Sequence, residues 1–199
     1  MCIRDSNKVE YKLPVSNHDR KKIDELMKQH GINDVKSLIA INPVAKWETK
    51  LWPNKKFAEL ADILIDQYEM KIVFTGGIKD YSIIQTITSS MKGRAINFAG
   101  KTTLTELAAL YEKAALVIST DTGPMHLAAA VGTPVVALFG PTSPWRTGPY
   151  GTDHQVIRAE LGCSPCFKRR CSNNICMGQI SIQKVFDKVN IIMRLSGKS

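Results

Sequence analysis

Ser119-Thr120-Asp121-Thr122-Gly123-Pro124-Met125-His126 is a polar turn between an apolar run, Ala115-Leu116-Val117-Ile118, and the small-residue segment Leu127-Ala128-Ala129-Ala130. Residue types in that order suit the capture of an anion. Pro124 is well tolerated at a first helical position, because the N–H it lacks would be unpaired there. A helix that starts at this point turns open backbone N–H groups, and the positive end of its dipole, toward one spot. Thr122 adds a hydroxyl, and Gly123 adds a backbone that a phosphate can approach with no Cβ in the way. Asp121 has the wrong sign for the same anion. It is better placed to accept hydrogen bonds from hydroxyls on whatever the phosphate carries.

Other residues with chemical potential lie up and down the chain. Lys50 falls in a loop between a strand and a helix, on the same predicted edge, where a cation stabilises a departing phosphate; Lys46 is a second candidate. Gly76-Gly77 follows an apolar strand and reads as a close approach of backbone to ligand or as a turn. Asp80 is placed as a carboxylate past a strand end, the usual partner of a ribose diol. Cys163-x2-Cys166-x4-Cys171-x4-Cys176 reads either as a tetrahedral structural metal site, most simply zinc, or as reduced free thiols. The intervening Lys168, Arg169 and Arg170 would partly offset the charge of four thiolates. Asp121-Thr122-Gly123 is also the triplet of aspartic proteases, but that chemistry needs two facing carboxylates. One triplet, followed by a helical alanine run, excludes it.

The elements that hold these residues alternate. Ile23, Leu26, Met27 and His30 fall at helical spacing, and residues 37–41 form a short apolar strand. Phe57, Leu60, Ala61, Leu64, Ile65 and Tyr68 give a helical stripe, with Asn54 expected as its cap. Residues 71–75 read as strand, Ile83, Ile84, Ile87 and Met91 as helix, and residues 95–98 as strand. Thr103 and Glu106 form a capping box for the next helix. Residues 133–140 and 154–159 add strands, and Ile182, Val185, Phe186, Val189 and Met193 define a last amphipathic helix. Nearly all-apolar strands alternating with helices predict an α/β fold, a Rossmann-like parallel sheet with helices on both faces. Ligands of such sheets bind at the carboxyl ends of the strands, where Gly76, Asp121 and Gly140 lie.

Composition sets the outer bounds. The 199 residues, 44% hydrophobic and 23% charged, suffice for one well-buried domain. A net charge of +9 favours anionic partners: nucleic acid, a phosphorylated small molecule or an anionic membrane face. No patch interleaves this charge with aromatics, so nucleic acid is not expected. No apolar run approaches the length needed to cross a bilayer, and the start lacks a signal-peptide core; the cytoplasm is the expected compartment.

The Asp121–Ala130 segment, with Phe139-Gly140-Pro141-Thr142 and Gly148-Pro149-Tyr150-Gly151, resembles glycosyltransferase family 9, the heptosyltransferases of the lipopolysaccharide inner core. Lys50-Leu51-Trp52-Pro53 followed by Phe57 and Leu60 agrees, as does Phe74-Thr75-Gly76-Gly77 followed by Asp80. The resemblance runs in family order from about Ile39 to Ile180. It implies the C-terminal, donor-binding half of a GT-B fold. It further implies that Lys50 binds the diphosphate of a nucleotide-sugar, in all expectation ADP-heptose, and that Asp121 holds hydroxyls of the transferred sugar. Thr122, Gly123 and His126 would then lie near the phosphates, with His126 either a neutral donor or packing for the helix start. Gly76, Gly77 and Asp80 would lie near the nucleoside, and Met125 against its base or in the core; Thr142 and Ser143 are further candidates.

The implied reaction is transfer of heptose, with inversion, to a lipopolysaccharide core acceptor. No metal or other cofactor is needed for the chemistry. Acceptor domain and catalytic base are expected outside this chain, which by itself should bind donor and transfer little. A peripheral place on the inner membrane fits such an acceptor. The expected organisation is residues 1–36 as the start of the domain, with Met1 to Ser6 matching nothing in the family and expected to be non-native. Residues 37–160 are the nucleotide-sugar-binding core, 161–179 a Cys-rich loop and 180–199 a C-terminal helix. The rival reading is a nucleotide-sugar-binding module without chemistry.

Overall fold

The computed structural model of the chain describes residues 13–32, 37–195 and 197; the expectation for Met1 to Ser6 lies outside them. Helices and strands alternate in the expected order. α1 (Asn17–Gln29), β1 (Leu38–Asn42), α2 (Asn54–Tyr68), β2 (Lys71–Phe74), α3 (Tyr81–Ser89), β3 (Ala95–Asn97) and α4 (Leu104–Lys113) form the first half. β4 (Leu116–Thr120), α5 (Gly123–Ala130), β5 (Val135–Phe139), α6 (Pro144–Thr147), β6 (Gln155–Arg158), α7 (Cys176–Gln179) and α8 (Ile182–Leu195) complete it.

The six strands make one sheet in the order β3-β2-β1-β4-β5-β6, every pair parallel. Chain progression reverses beside β1: β2 lies on one side of it and β4 on the other. The register aligns Asn42, the last residue of β1, with Ser119 of β4. A reversal of this kind opens a crevice beyond the strands' carboxyl ends.

Side chains of successive strand residues point to opposite faces, and two apolar layers result. Ile39, Ile41, Phe74, Ile118 and Leu138 pack with α2, α3 and α8. Ala40, Val117, Ala137 and Phe139 pack with α4 and α5, while Leu38 and Val73 meet α1 through Ile23 and Met27. Both faces are covered, so the near-continuous apolar strands are accounted for.

Local signals hold in most places. Thr103 and Glu106 close the expected box at the start of α4, with Thr103 N donating to Glu106 Oε2 at 2.7 Å and Glu106 N to Thr103 Oγ1 at 3.3 Å. One expectation is corrected. Asn54 is the first helical residue of α2 and caps nothing; Pro53 occupies the cap position with its backbone extended, and no side chain caps this helix. Of the apolar side of α8, Val185, Val189, Ile192 and Met193 are at most 4% exposed, while Ile182 and Phe186 are half-buried. The sheet's β6 edge and α2 leave an apolar face that α8 covers. No described helix is long and apolar enough to cross a membrane.

Candidate functional site

A cleft of about 610 Å³ opens beyond the carboxyl ends of β1, β2 and β4. Its floor is polar though buried. Asn42, 1% exposed, donates through Nδ2 to the Thr75 carbonyl at 3.2 Å, and Thr75 Oγ1 lies 2.9 Å from the Tyr111 hydroxyl. Burial pushes the Tyr111 phenol well above its ordinary value, so this hydroxyl stays protonated.

Lys50 ends a short 3-10 turn (Glu48–Lys50) that follows β1. The turn is anchored on both sides. Thr49 is buried and its Oγ1 donates to the Lys168 carbonyl at 2.7 Å. Two residues past Lys50, the Trp52 indole is buried, donates through Nε1 to the Ile180 carbonyl at 3.0 Å and packs edge-on against Phe57. Lys50 is thereby delivered to the cleft wall, with Nζ 4.5 Å from the Trp47 ring.

Asp121 comes from the turn after β4, tied to the sheet by its N–H to the Leu138 carbonyl at 3.2 Å. Lys50 Nζ donates to Asp121 Oδ2 at 2.7 Å and to the Asp121 carbonyl at 3.0 Å. Thr147 Oγ1 donates to the same Oδ2 at 3.3 Å. An ammonium has three donors; two are committed to Asp121, and one remains. On the carboxylate, Oδ1 has no partner among the described residues. The pair, its side chains 15% and 5% exposed, therefore keeps one donor and one acceptor for a ligand.

Thr122 sits in extended backbone at the cap position of α5 without a side-chain cap bond. Its Oγ1 rests 3.4 Å from the Thr120 carbonyl, which it donates to, and 3.3 Å from Ser119 Oγ. Pro124 supplies no N–H, and the Met125 N–H is taken by the Thr122 carbonyl at 3.2 Å. Among the described residues the Gly123 amide has no partner and is the open donor of this helix start. A Cβ built on Gly123 meets nothing within 4 Å, and the residue lines both this cleft and the apolar groove beside it.

Gly76, Gly77 and Asp80 line the opposite rim. One Asp80 oxygen accepts from the Gly77 N–H at 2.8 Å and closes a 3-10 turn (Ile78–Asp80). A Cβ on Gly76 would lie 2.8 Å from Ile84 Cδ1 and 3.1 Å from Asp80 Cβ. A side chain there would have to displace the Ile84 methyl and crowd Asp80.

The structure leaves some candidates outside this cleft. Met125 is fully buried among Val117, Phe139 and Tyr111 and belongs to the core. His126 is exposed and lines a neighbouring apolar groove with Leu104, Leu127 and Tyr150. One helical step carries it off the cleft face. Thr142 is buried without a partner for Oγ1 among the described residues, and neither it nor Ser143 lines the cleft. The four cysteines are free thiols, Cys163 and Cys171 exposed, Cys166 and Cys176 half-buried. Among the described residues no three His, Cys, Asp or Glu side chains form a group able to hold a metal ion, so the zinc expectation has no geometric support. Sequence reasoning missed Asn42, Trp47 and Thr147. A polar residue ending an apolar strand was a readable signal for Asn42; nothing local marked the other two.

A doubly covered parallel sheet with a cation, a carboxylate and a helix start converging at its switch point defines a Rossmann-like α/β domain. Residues 5–176 match glycosyltransferase family 9 (heptosyltransferase), and the chain belongs to that family. It is 36% identical over 136 residues to lipooligosaccharide heptosyltransferase 2 of Haemophilus influenzae, covering 66% of this chain and 39% of that one. The fold superposes on the family 9 glycosyltransferase of Veillonella parvula with a TM-score of 0.84 at 28% identity, over 96% of this chain and 56% of that one. It also superposes on ADP-heptose lipopolysaccharide heptosyltransferase II of Escherichia coli, TM-score 0.77 at 28% identity, over 94% and 54% of the two chains. The chain thus spans between 39% and 56% of the length of these relatives.

Proposed function

We infer that this chain is the donor-binding half of an inverting heptosyltransferase and that its cleft takes a nucleotide-diphosphate heptose, ADP-heptose, for transfer to the lipopolysaccharide inner core. The observation that carries the reading is the Lys50–Asp121 pair at the start of α5. The spare Lys50 donor and the Gly123 amide suit the diphosphate; the spare Asp121 oxygen suits a sugar hydroxyl. Asp80 on the far rim suits the ribose.

In the reaction the acceptor oxygen attacks the anomeric carbon as the bond to the phosphate oxygen breaks, with its electron pair passing to the nucleotide diphosphate. Lys50 and the Gly123 amide offset that charge electrostatically, with no metal required. The acceptor's proton passes to a general base, which we assign, with the greater part of the acceptor site, to sequence beyond this chain. Such an enzyme works at the cytoplasmic face of the inner membrane, and nucleic acid is not a partner.

Calorimetric titration with ADP-heptose and with ADP tests the proposal. Both should bind, and ADP-heptose more tightly through the Asp121 carboxylate. Absence of ADP binding would remove the donor reading. Sugar transfer by the isolated 199 residues would overturn the assignment of the base elsewhere.

A further inference from the structure

Beside the donor cleft lies a second, smaller concavity of about 330 Å³, lined by Lys46, Trp47, Glu48, Arg169 and Arg170. Lys46 and Trp47 also line the main cleft, so the two spaces adjoin through these residues. The Trp47 ring lies 4.5 Å from Lys50 Nζ in one and 5.2 Å from Arg169 Cζ in the other.

Three cations and one carboxylate line the concavity. Among the described residues, Lys46, Arg169 and Arg170 pair with no carboxylate. Their mutual repulsion is held in place by the chain. The Cys-rich loop is fastened to the turn at residues 46–50 through Thr49 Oγ1 to the Lys168 carbonyl at 2.7 Å and Asn174 Nδ2 to the Glu48 carbonyl at 3.4 Å. Arg169 and Arg170 directly follow the fastened residue. These arginines were expected to offset thiolates around a metal, but no metal-binding group forms among the described residues. Three exposed cations without a carboxylate partner among the described residues, one of them stacked over Trp47, line one concavity and favour an anion there.

We propose that this concavity is a second anion site, one that takes a phosphate or carboxylate carried by the acceptor saccharide. The proposal rests on the donor reading for the word acceptor, because the site adjoins the cleft from which the sugar departs. The volume is at the small end of ligand pockets, fitting one sugar ring with its charged substituent. An arginine pair supplies the forked donors that suit such groups.

The test uses the whole chain, saturated with ADP and titrated with glucose 6-phosphate, followed by ¹⁵N-resolved shifts of the Trp47 indole and of Arg169 and Arg170. Shifts are expected at those three residues without release of ADP. In Arg169→Ala/Arg170→Ala binding of the sugar phosphate should fall about tenfold or more, as loss of charge-assisted bonds requires, with ADP affinity and melting temperature retained. Glu48→Gln removes the one opposing carboxylate and should tighten binding by roughly two- to fivefold, a gain that no folding defect imitates. The proposal is overturned by equal binding in the double variant, by displacement of ADP, or by binding to vesicles of anionic lipid without binding to the sugar phosphate. If ADP itself fails to bind, the donor reading falls, and shifts confined to Trp47 and the arginines still establish the anion site.

Discussion

Lys50 and Asp121 stand 71 residues apart in sequence, and their Nζ and Oδ2 atoms stand 2.7 Å apart in the fold. Each is the nearest charged neighbour that the other needs. In the free protein Asp121 holds the ammonium in the cleft, where a flexible lysine stem would otherwise swing into solvent. The carboxylate also opposes an incoming diphosphate. On the proposed donor reading the two residues should have separable effects on nucleotide and on sugar.

Lys50→Ala should weaken ADP binding by about 1.5–3 kcal/mol, the range of a hydrogen bond to a charged group. Asp121→Asn keeps the shape and removes the opposing charge. It should leave ADP binding equal or tighter while abolishing the preference for ADP-heptose over ADP. Calorimetry on the two variants checks both, and unchanged ADP affinity in Lys50→Ala would take the lysine out of the site.

Gly123→Ala should separate stability from binding. The position has room for a Cβ and begins a helix. The substitution should hold or raise stability, by up to about 0.4–1 kcal/mol through the unfolded state. The same methyl projects into the space assigned to the diphosphate, so ADP affinity should fall. A variant that melts higher and binds ADP as before would place the ligand elsewhere.

Much of this site was readable in the residues, and the unread part has a physical cause. The box at Thr103 and Glu106, the strand before Asp121 and the helix after Gly123 are local patterns, set by spacing alone. Met125 and His126 differ from their neighbours only in which way one helical step turns them, and a helix whose residues are nearly all small or apolar gives no stripe to orient it. Thr147 reaches Asp121 across a turn 26 residues on, and Trp47 meets Arg169 across more than 120. Contacts at such distances are made by the fold, and no window along the chain contains both partners. Asn54 failed as a cap for a smaller reason: Pro53, with its fixed φ, took the entry position first.

Acid should unfold the protein partly through Glu106. The Lys22 ammonium, 2.5 Å away, and the Thr103 N–H hold this carboxyl below the usual glutamate range. A depressed value means that the folded state favours the ionised form. The stabilisation is complete above the unfolded value near pH 4.3 and is lost as pH falls through the folded one. Denaturant titrations below about pH 4.3 should show a steeper loss in the native chain than in Glu106→Gln. Parallel acid limbs would remove Glu106 from the account.

Thiol chemistry gives a fourth test. Exposed Cys171 has its thiol pulled below the ordinary value by the backbone N–H groups of Asn173 and Asn174, whereas burial pushes that of Cys176 up. Alkylation of protein purified without chelator should reach all four positions, Cys171 ahead of Cys176, because thiolate is the reactive species. Protection of all four until a chelator is added would reveal a bound metal.

The grip on the ligand comes from β1 and β4, adjacent strands in the sheet with two βα units of chain between them. Parallel pairing of that kind is slow, since a long loop must close before any contact rewards it. The proposed nucleotide site therefore requires the β1–β4 pairing to be formed. A ligand that recognises only the finished arrangement draws the equilibrium toward it, by about 2.7 kcal/mol at a hundredfold excess over its dissociation constant. On the proposed donor reading, a supply of donor would add to the stability of this domain.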